Sequence, residues 1–298
     1  MTLSPTHDAR RRPRRAVAAR RLARRRVVRQ RVGLATLALA GVLLMLYPPA
    51  ATWVSSLSEA GALTSYSERV AGLTDADRDR ALAAADAYND TLTDGPIVDP
   101  FSNTPGVEQL AVDADARAYL DQLALDDVMA RIRVPAIGVD LPVFHGTTDE
   151  TLRRGIGHLY GTSLPVGGSG THAVLTGHSG LPEAELFTRL ADLEEGDEIV
   201  VETMGESLTY RVTGSETVEP TDIDSLRPAA GRDQLTLLTC TPIGINTHRL
   251  LVHAERVDDA PAANAEPAGV GTPWALIAAG VAVAGWGAVV VGAVRRRG

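Results

Sequence analysis

Lysine is absent from this chain: all 29 basic residues are arginine. Cysteine occurs once, so no internal disulfide can form, and aromatic residues make up only 4% of the sequence, three of them phenylalanine. Acidic residues are missing from both ends: of the 37, only Asp8 precedes residue 55 and none follows residue 272. Arginine is distributed the opposite way. Twelve fall between Arg10 and Arg31 and three more are Arg295, Arg296 and Arg297, which leaves 14 against 36 acids in the middle, a net of −22. That charge excludes nucleic acid as the partner of the middle domain, because phosphate binding needs a basic face. Metal and nucleotide signatures are missing too. There is no His-Glu-x-x-His, no paired cysteine and no clustered His/Asp spacing, and Val166-Gly167-Gly168-Ser169-Gly170 precedes a strand pattern instead of opening a helix.

Long uncharged runs are confined to two places. Residues 32–47 are almost wholly apolar and run into Pro48-Pro49, where the helix is expected to end. Continued to Val54, the uncharged stretch reaches 23 residues, enough to cross a bilayer core about 30 Å thick. The competing reading is a cleaved signal peptide, whose apolar part runs only about 7–15 residues and for which Ala50-Ala51 would supply the small residues. Residues 273–294 form a second uncharged span of 22 residues next to the three terminal arginines. Both arginine clusters lie on the terminal side of their span, which places both termini in the cytoplasm and residues 55–272 outside a cell membrane crossed twice. The chain reads as a basic arm (1–31), a membrane helix (32–54), a helical region (55–127), a β-rich domain (128–257), a flexible linker (258–272), a second membrane helix (273–294) and a short tail (295–298).

Within the outer region, helices are expected over 58–73, 75–92 and 107–125, with a helical turn at 182–190. Short alternating runs predict strands at 130–134, 139–144, 171–175, 198–202, 207–213 and on either side of Cys240. Seven or eight such strands, punctuated by glycine and proline, give a mainly β fold, a closed or nearly closed barrel.

The stretch 234–255, QLTLLTCTPIGINTHRLLVHAE, holds the single cysteine. Cys240 ends an apolar strand, Pro242, Gly244 and Asn246 supply a turn, and Arg249 opens the strand that returns. A hairpin brings that guanidinium near the sulfur and favours the thiolate, the nucleophilic form. From spacing alone, Cys240 reads more readily as a small buried hydrophobe than as a nucleophile. In an exported domain without a disulfide partner, a working thiol is the better explanation. Two histidines compete as its proton-transfer partner: His178, between Gly177 and Ser179-Gly180, and His248, nearest in sequence. His172 and His253 alternate with strand residues and read as structural. Phe101, in the loop Asp99-Pro100-Phe101, reads as a surface anchor.

Thr236-Leu237-Leu238-Thr239-Cys240 resembles the Thr-Leu-x-Thr-Cys signature of sortases. The segments 241–251, 141–147, 161–168 and 176–182 are similar to the class C, pilin-polymerising branch, and Asp99-Pro100-Phe101 resembles its lid motif. The resemblance implies an eight-stranded sortase barrel with N-terminal helices and a lid loop. It implies Cys240 as nucleophile, His178 as acid/base, Arg249 as oxyanion or substrate-positioning group, and Asp99, Pro100 and Phe101 as the lid over the site. Thr239 and Ile243, flanking the nucleophile, become the candidate substrate contacts. Implied partners are secreted pilins with an LPxTG-like sorting signal and a pilin lysine as acceptor, with no cofactor and no metal. Two residues depart from the pattern: Ile243 stands where Tyr usually follows Thr-Pro, and Ser179 where Arg often follows the catalytic His. A lysine-free transpeptidase of this kind offers no side-chain amine to its own acyl group, although an arginine-biased, GC-rich genome is the better explanation of the missing lysine.

Overall fold

The computed structural model describes residues 11–92, 99–101, 114–125, 127–222, 224–257 and 270–295. Contacts divide the chain into two units, Met1–Ala50 with Thr272–Gly298, and Ala51–Gly271. Among the described residues, two helices are long and apolar enough to cross a membrane, Leu22–Ala71 within α1 (Arg11–Ala71) and Trp274–Arg295, with mean hydropathies of 1.8 and 2.1. In the first unit, Trp286 Nε1 donates to Thr36 Oγ1 at 3.1 Å.

Pro48 and Pro49 do not end the first helix, contrary to expectation; both lie inside α1, which also absorbs the helix expected over 58–73. Each proline lacks an N–H and costs about 3 kcal/mol in a helix interior. The loss is local, and the apolar turns before and the alanine- and serine-rich turns after keep the helical path.

In the second unit, α1 presents Leu63, Tyr66 and Val70 to the core. Tyr66 ties it to the sheet, its hydroxyl donating to the Met129 carbonyl at 3.2 Å and accepting from the Met204 N–H at 2.9 Å. Helix α2 (Asp75–Thr91) starts where Thr74 Oγ1 accepts from the Asp77 N–H at 3.2 Å, satisfying an end donor that the helix itself leaves unpaired. Helix α3 (Ala114–Leu120) is shorter than expected at its C-terminal end, where Leu123 takes a φ of 51°. The start of that expected helix, residues 107–113, lies outside the described residues, as do most of the expected linker and both chain ends.

Eight strands close into a barrel in the order β1-β2-β3-β4-β7-β8-β6-β5. They are β1 Val128–Val134, β2 Val139–His145, β3 Ile156–His158, β4 Thr171–Thr176, β5 Glu198–Thr203, β6 Glu206–Val218, β7 Asp233–Thr241 and β8 His248–Arg256. The sequence concealed β3 because three residues with a central glycine carry no alternation. Strand β6 is longer than expected, and its ladder with β8 shifts register between Val212 and Gly214. The helical turn expected at 182–190 is instead a 3₁₀ turn at Leu190–Asp192, because Leu181 and Ala184 pair as an isolated bridge first.

Strands β4, β7 and β8 form the wall that matters for function. β4 and β7 run parallel, with Val174 beside Thr236 and Thr176 beside Leu238, and β7 and β8 run antiparallel. Alternation sends Ala173, Leu175, Leu235, Leu237, Val252 and Ala254 into the main core. Val174, Leu238 and Leu251 face the other way, where Leu159 and Leu226 cover them and Phe101 packs alongside.

Candidate active site

Cys240 lies on this outward face, one residue from the end of β7, and the hairpin register sets it directly opposite Arg249 on β8. Asn246 takes a φ of 61° in the turn between the two strands, and the antiparallel register brings the two side chains together. His178 arrives by a different route. The parallel ladder continues past β4 as the Gly177 N–H donates to the Leu238 carbonyl at 3.0 Å. Thr239 Oγ1 then donates to the Gly177 carbonyl at 2.7 Å, and Ser179 Oγ to the Cys240 carbonyl at 2.7 Å. His178 is clamped between these two bonds. Its glycine neighbours are there for space and dihedral angle: a Cβ on Gly177 would come within 2.8 Å of Phe187 and 2.7 Å of Ile156, and Gly180 has a φ of 71° under the Ile243 side chain.

Asp99 and Phe101 fill the space between these groups. Arg249 Nε and Nη2 donate to the two Asp99 carboxylate oxygens at 2.7 Å each, a buried bidentate pair. Its Nη1 donates to the carbonyls of Asn246 and His248, both at 3.1 Å. The Phe101 ring lies 5.4 Å from the His178 ring and 5.3 Å from Arg249 Cζ, so it separates the two. The surface-anchor reading of Phe101 is thereby corrected: its ring is wedged into the site.

The electrostatics of this closed arrangement reverse one expectation. Burial pushes the Cys240 thiol up to about 11; Arg249 opposes the shift but Asp99 adds to it. The guanidinium that was to make the sulfur acidic is neutralised by a carboxylate from elsewhere in the chain. Burial also lowers the pKa of His178, with Asp149 pulling it up and Arg153 down. A neutral thiol and an imidazole that resists protonation therefore share the site.

The structure brings together Cys240, His178 and Arg249 with Asp99, Pro100 and Phe101. His248 neighbours Arg249 along β8 and so belongs to the opposite face, its Nδ1 2.9 Å from Thr247 Oγ1. Thr239 is 2% exposed with its hydroxyl turned to Gly177, which makes it a support for His178 in this state, whereas Ile243 is 54% exposed at the mouth. The Ser179 tie to the nucleophile's own carbonyl had no signal in the sequence, since it depends on the pairing of β4 with β7.

Residues 132–257 match the family model described as Sortase domain. "Sortase A" of Bacillus anthracis is 30% identical over 157 residues, covering 53% of this chain and 71% of that protein. Sortase C-1 of Actinomyces oris is 47% identical, with a TM-score of 0.57 over 60% of this chain and 98% of that one. Sortase C of Streptococcus pneumoniae, whose structure is described as giving insight into catalysis and pilin substrate specificity, is 36% identical, with a TM-score of 0.60 over 67% of this chain and 99% of that one.

Proposed function

Because the chain belongs to the sortase family of cysteine transpeptidases, we propose that it is a membrane-held pilin polymerase: it cleaves an LPxTG-like sorting signal between Thr and Gly and joins the acyl group to a pilin lysine. The observation that carries this reading is the convergence of Cys240, His178 and Arg249 on one face beneath Asp99 and Phe101. The lid and the pilin-directed sortase C neighbour support the pilin branch. The arginine-flanked apolar helices support a catalytic domain outside the cell and both termini inside.

Reaction begins when the lid leaves. Arg249 then loses its carboxylate partner and the sulfur regains water and a cation, which favours the thiolate, and the thiol proton passes to His178 as its own burial is relieved. The thiolate attacks the Thr carbonyl, and Arg249, freed from Asp99, stabilises the oxyanion. His178 protonates the departing Gly amine as the C–N bond breaks, leaving a thioester on Cys240. The lysine amine attacks the thioester, gives a proton to His178, and forms the isopeptide bond as the thiolate departs. Thr239 and Ser179 keep His178 and Cys240 in register through both halves. Ile243, exposed beside Gly180, is a substrate contact at the mouth.

The full-length chain in detergent micelles, given a sorting-signal peptide with either a lysine-bearing pilin or a wall-type amine, tests the reading. Isopeptide product with pilin, lost in Cys240→Ala and His178→Ala, is expected. Product with the wall-type amine alone would reassign the enzyme to cell-wall anchoring, and release to water alone to hydrolysis. Full polymer assembly by Cys240→Ala in cells would make the domain a scaffold.

A further inference from the structure

Four residues before Cys240 on β7, and on the same outward face, Thr236 is the centre of a hydrogen-bonded chain that the reaction does not use. His172 of β4 meets the Arg227 carbonyl through Nδ1 at 3.3 Å and Thr236 Oγ1 through Nε2 at 2.7 Å. Thr236 Oγ1 lies 2.8 Å from His253 Nδ1 on β8, and His253 Nε2 lies 3.1 Å from Glu216 Oε1 on β6. A peptide carbonyl stands at one end and a carboxylate at the other, and both only accept. Four contacts need four hydrogens. Neutral His172, Thr236 and His253 bring one each, so the complete chain needs a proton that neutral side chains do not supply.

We propose that His253 carries this added proton, and that the chain is a protonation-dependent brace holding the β6–β7 connection against the active-site face. With the proton there, every donor has its acceptor. His253 gives Nε2–H to Glu216 and Nδ1–H to Thr236; Thr236 gives its hydroxyl hydrogen to His172 Nε2; His172 gives Nδ1–H to the Arg227 carbonyl. The other two carriers fit worse. His172 is 1% exposed, and burial, with His253 and Arg232 nearby, lowers its pKa to about 4. Glu216 is held ionised, below the usual carboxylate value, by a hydrogen bond from Ser225 and by His253. The remaining charges around the chain are balanced: Arg232 of the connection pairs with Glu255 of β8, and Arg227 with Asp224.

The connection delivers Leu226, which closes the cluster of Leu159, Val174, Leu238 and Leu251 against which Phe101 packs. Loss of the fourth proton leaves one contact with a bare nitrogen facing an oxygen, at Glu216, at Thr236 or at the Arg227 carbonyl. The weakest of the four is the 3.3 Å contact that fixes the connection. The effect on lid seating rests on the function proposed above, whereas the proton count does not.

Glu216→Gln decides the matter, because its amide donates the fourth hydrogen to a neutral His253 and completes the chain without an added proton. The full-length chain, isotopically labelled at its histidine ring nitrogens and held in micelles, is followed by NMR and by thermal unfolding across about pH 5.5–8.5, the range in which imidazoles titrate. In the parent, one histidine should be doubly protonated at the low end and lose a proton as pH rises. If the completed chain holds that proton as proposed, its loss opens one of the four contacts and the melting temperature should fall in step. Glu216→Gln should lack both changes, and the difference between the two proteins cancels the other histidines. Thr236→Val should uncouple the His172 signal from the His253 titration. The same pH dependence in parent and Glu216→Gln, or a neutral His253 throughout, overturns the proposal. If Thr236→Val does not fold, Glu216→Gln, altered at a partly exposed side chain, still decides.

Discussion

Replacing Asp99 by alanine removes the carboxylate that occupies both inner nitrogens of Arg249. Leaving the guanidinium buried and unpaired would cost about 3–5 kcal/mol, so the covering segment should instead leave and let water reach Arg249. Three influences on Cys240 then change together: burial is relieved, the Asp99 charge is gone, and Arg249 no longer shares its field. A fall from about 11 to the ordinary thiol value of 9.0 multiplies the thiolate population at neutral pH about a hundredfold. Each thiolate becomes less nucleophilic, with a Brønsted coefficient of about 0.4–0.5, which takes back about eightfold. The net gain is about tenfold in the rate of alkylation before any gain in access. The assay is the second-order rate of a small thiol reagent with the full-length chain across a pH series, parent against Asp99→Ala. Phe101→Ala, which leaves the ion pair intact, should gain less. An unchanged rate with an unchanged pH midpoint in Asp99→Ala would refute the claim that the segment this carboxylate anchors keeps the sulfur protonated.

Thr239→Val should lose about 1 kcal/mol of stability with its bond to the Gly177 carbonyl, and its kcat should fall more than its KM rises, since His178 rather than substrate is displaced; a pure KM effect would return Thr239 to substrate contact. His158 is fully buried, its Nδ1 3.0 Å from the Tyr119 hydroxyl and its Nε2 2.8 Å from the Ser163 carbonyl, and burial lowers its pKa to about 4. The unfolded chain binds that proton first, so this contribution to stability is full above about pH 6.5 and declines by about 3 kcal/mol towards pH 4, with His172 adding to the fall in the same direction, which denaturant titration at each pH measures; a flat profile over that range would mean His158 is not held neutral. Introducing lysine at an exposed site whose charge is felt by His178, such as Arg153→Lys, should yield self-linked enzyme in the presence of sorting peptide, detected by mass spectrometry. Its absence leaves the lack of lysine without a role in the reaction.

The readable parts of this fold were those whose signal is local. Cys240 and Arg249 belong to one hairpin, and the alternation of β7 and β8 with turn residues between them exposes their pairing in the sequence. The apolar spans were legible for the same reason. By contrast, β3 is too short to alternate, and Pro48-Pro49 marks a weak point that helical neighbours override. His178 and His248 could not be separated by spacing, because what chooses His178 is the parallel pairing of β4 with β7. The charge state of the sulfur was misjudged on the same ground: it is set first by burial and then by Asp99, 150 residues from Arg249 in sequence. Local chemistry named the thiol and its cation, and only distant contacts showed the cation already engaged.

Asp99 on Arg249 also bears on how binding measurements on this protein are to be understood. A rival carried on the same polypeptide cannot be diluted, dialysed away or outpaced by lowering the enzyme concentration. Any peptide that needs the guanidinium is therefore seen with its intrinsic dissociation constant divided by the fraction of molecules in which the carboxylate has let go. Two such proteins with identical grooves but different stretches of chain holding that aspartate would differ in measured affinity without differing in a single atom that touches the peptide.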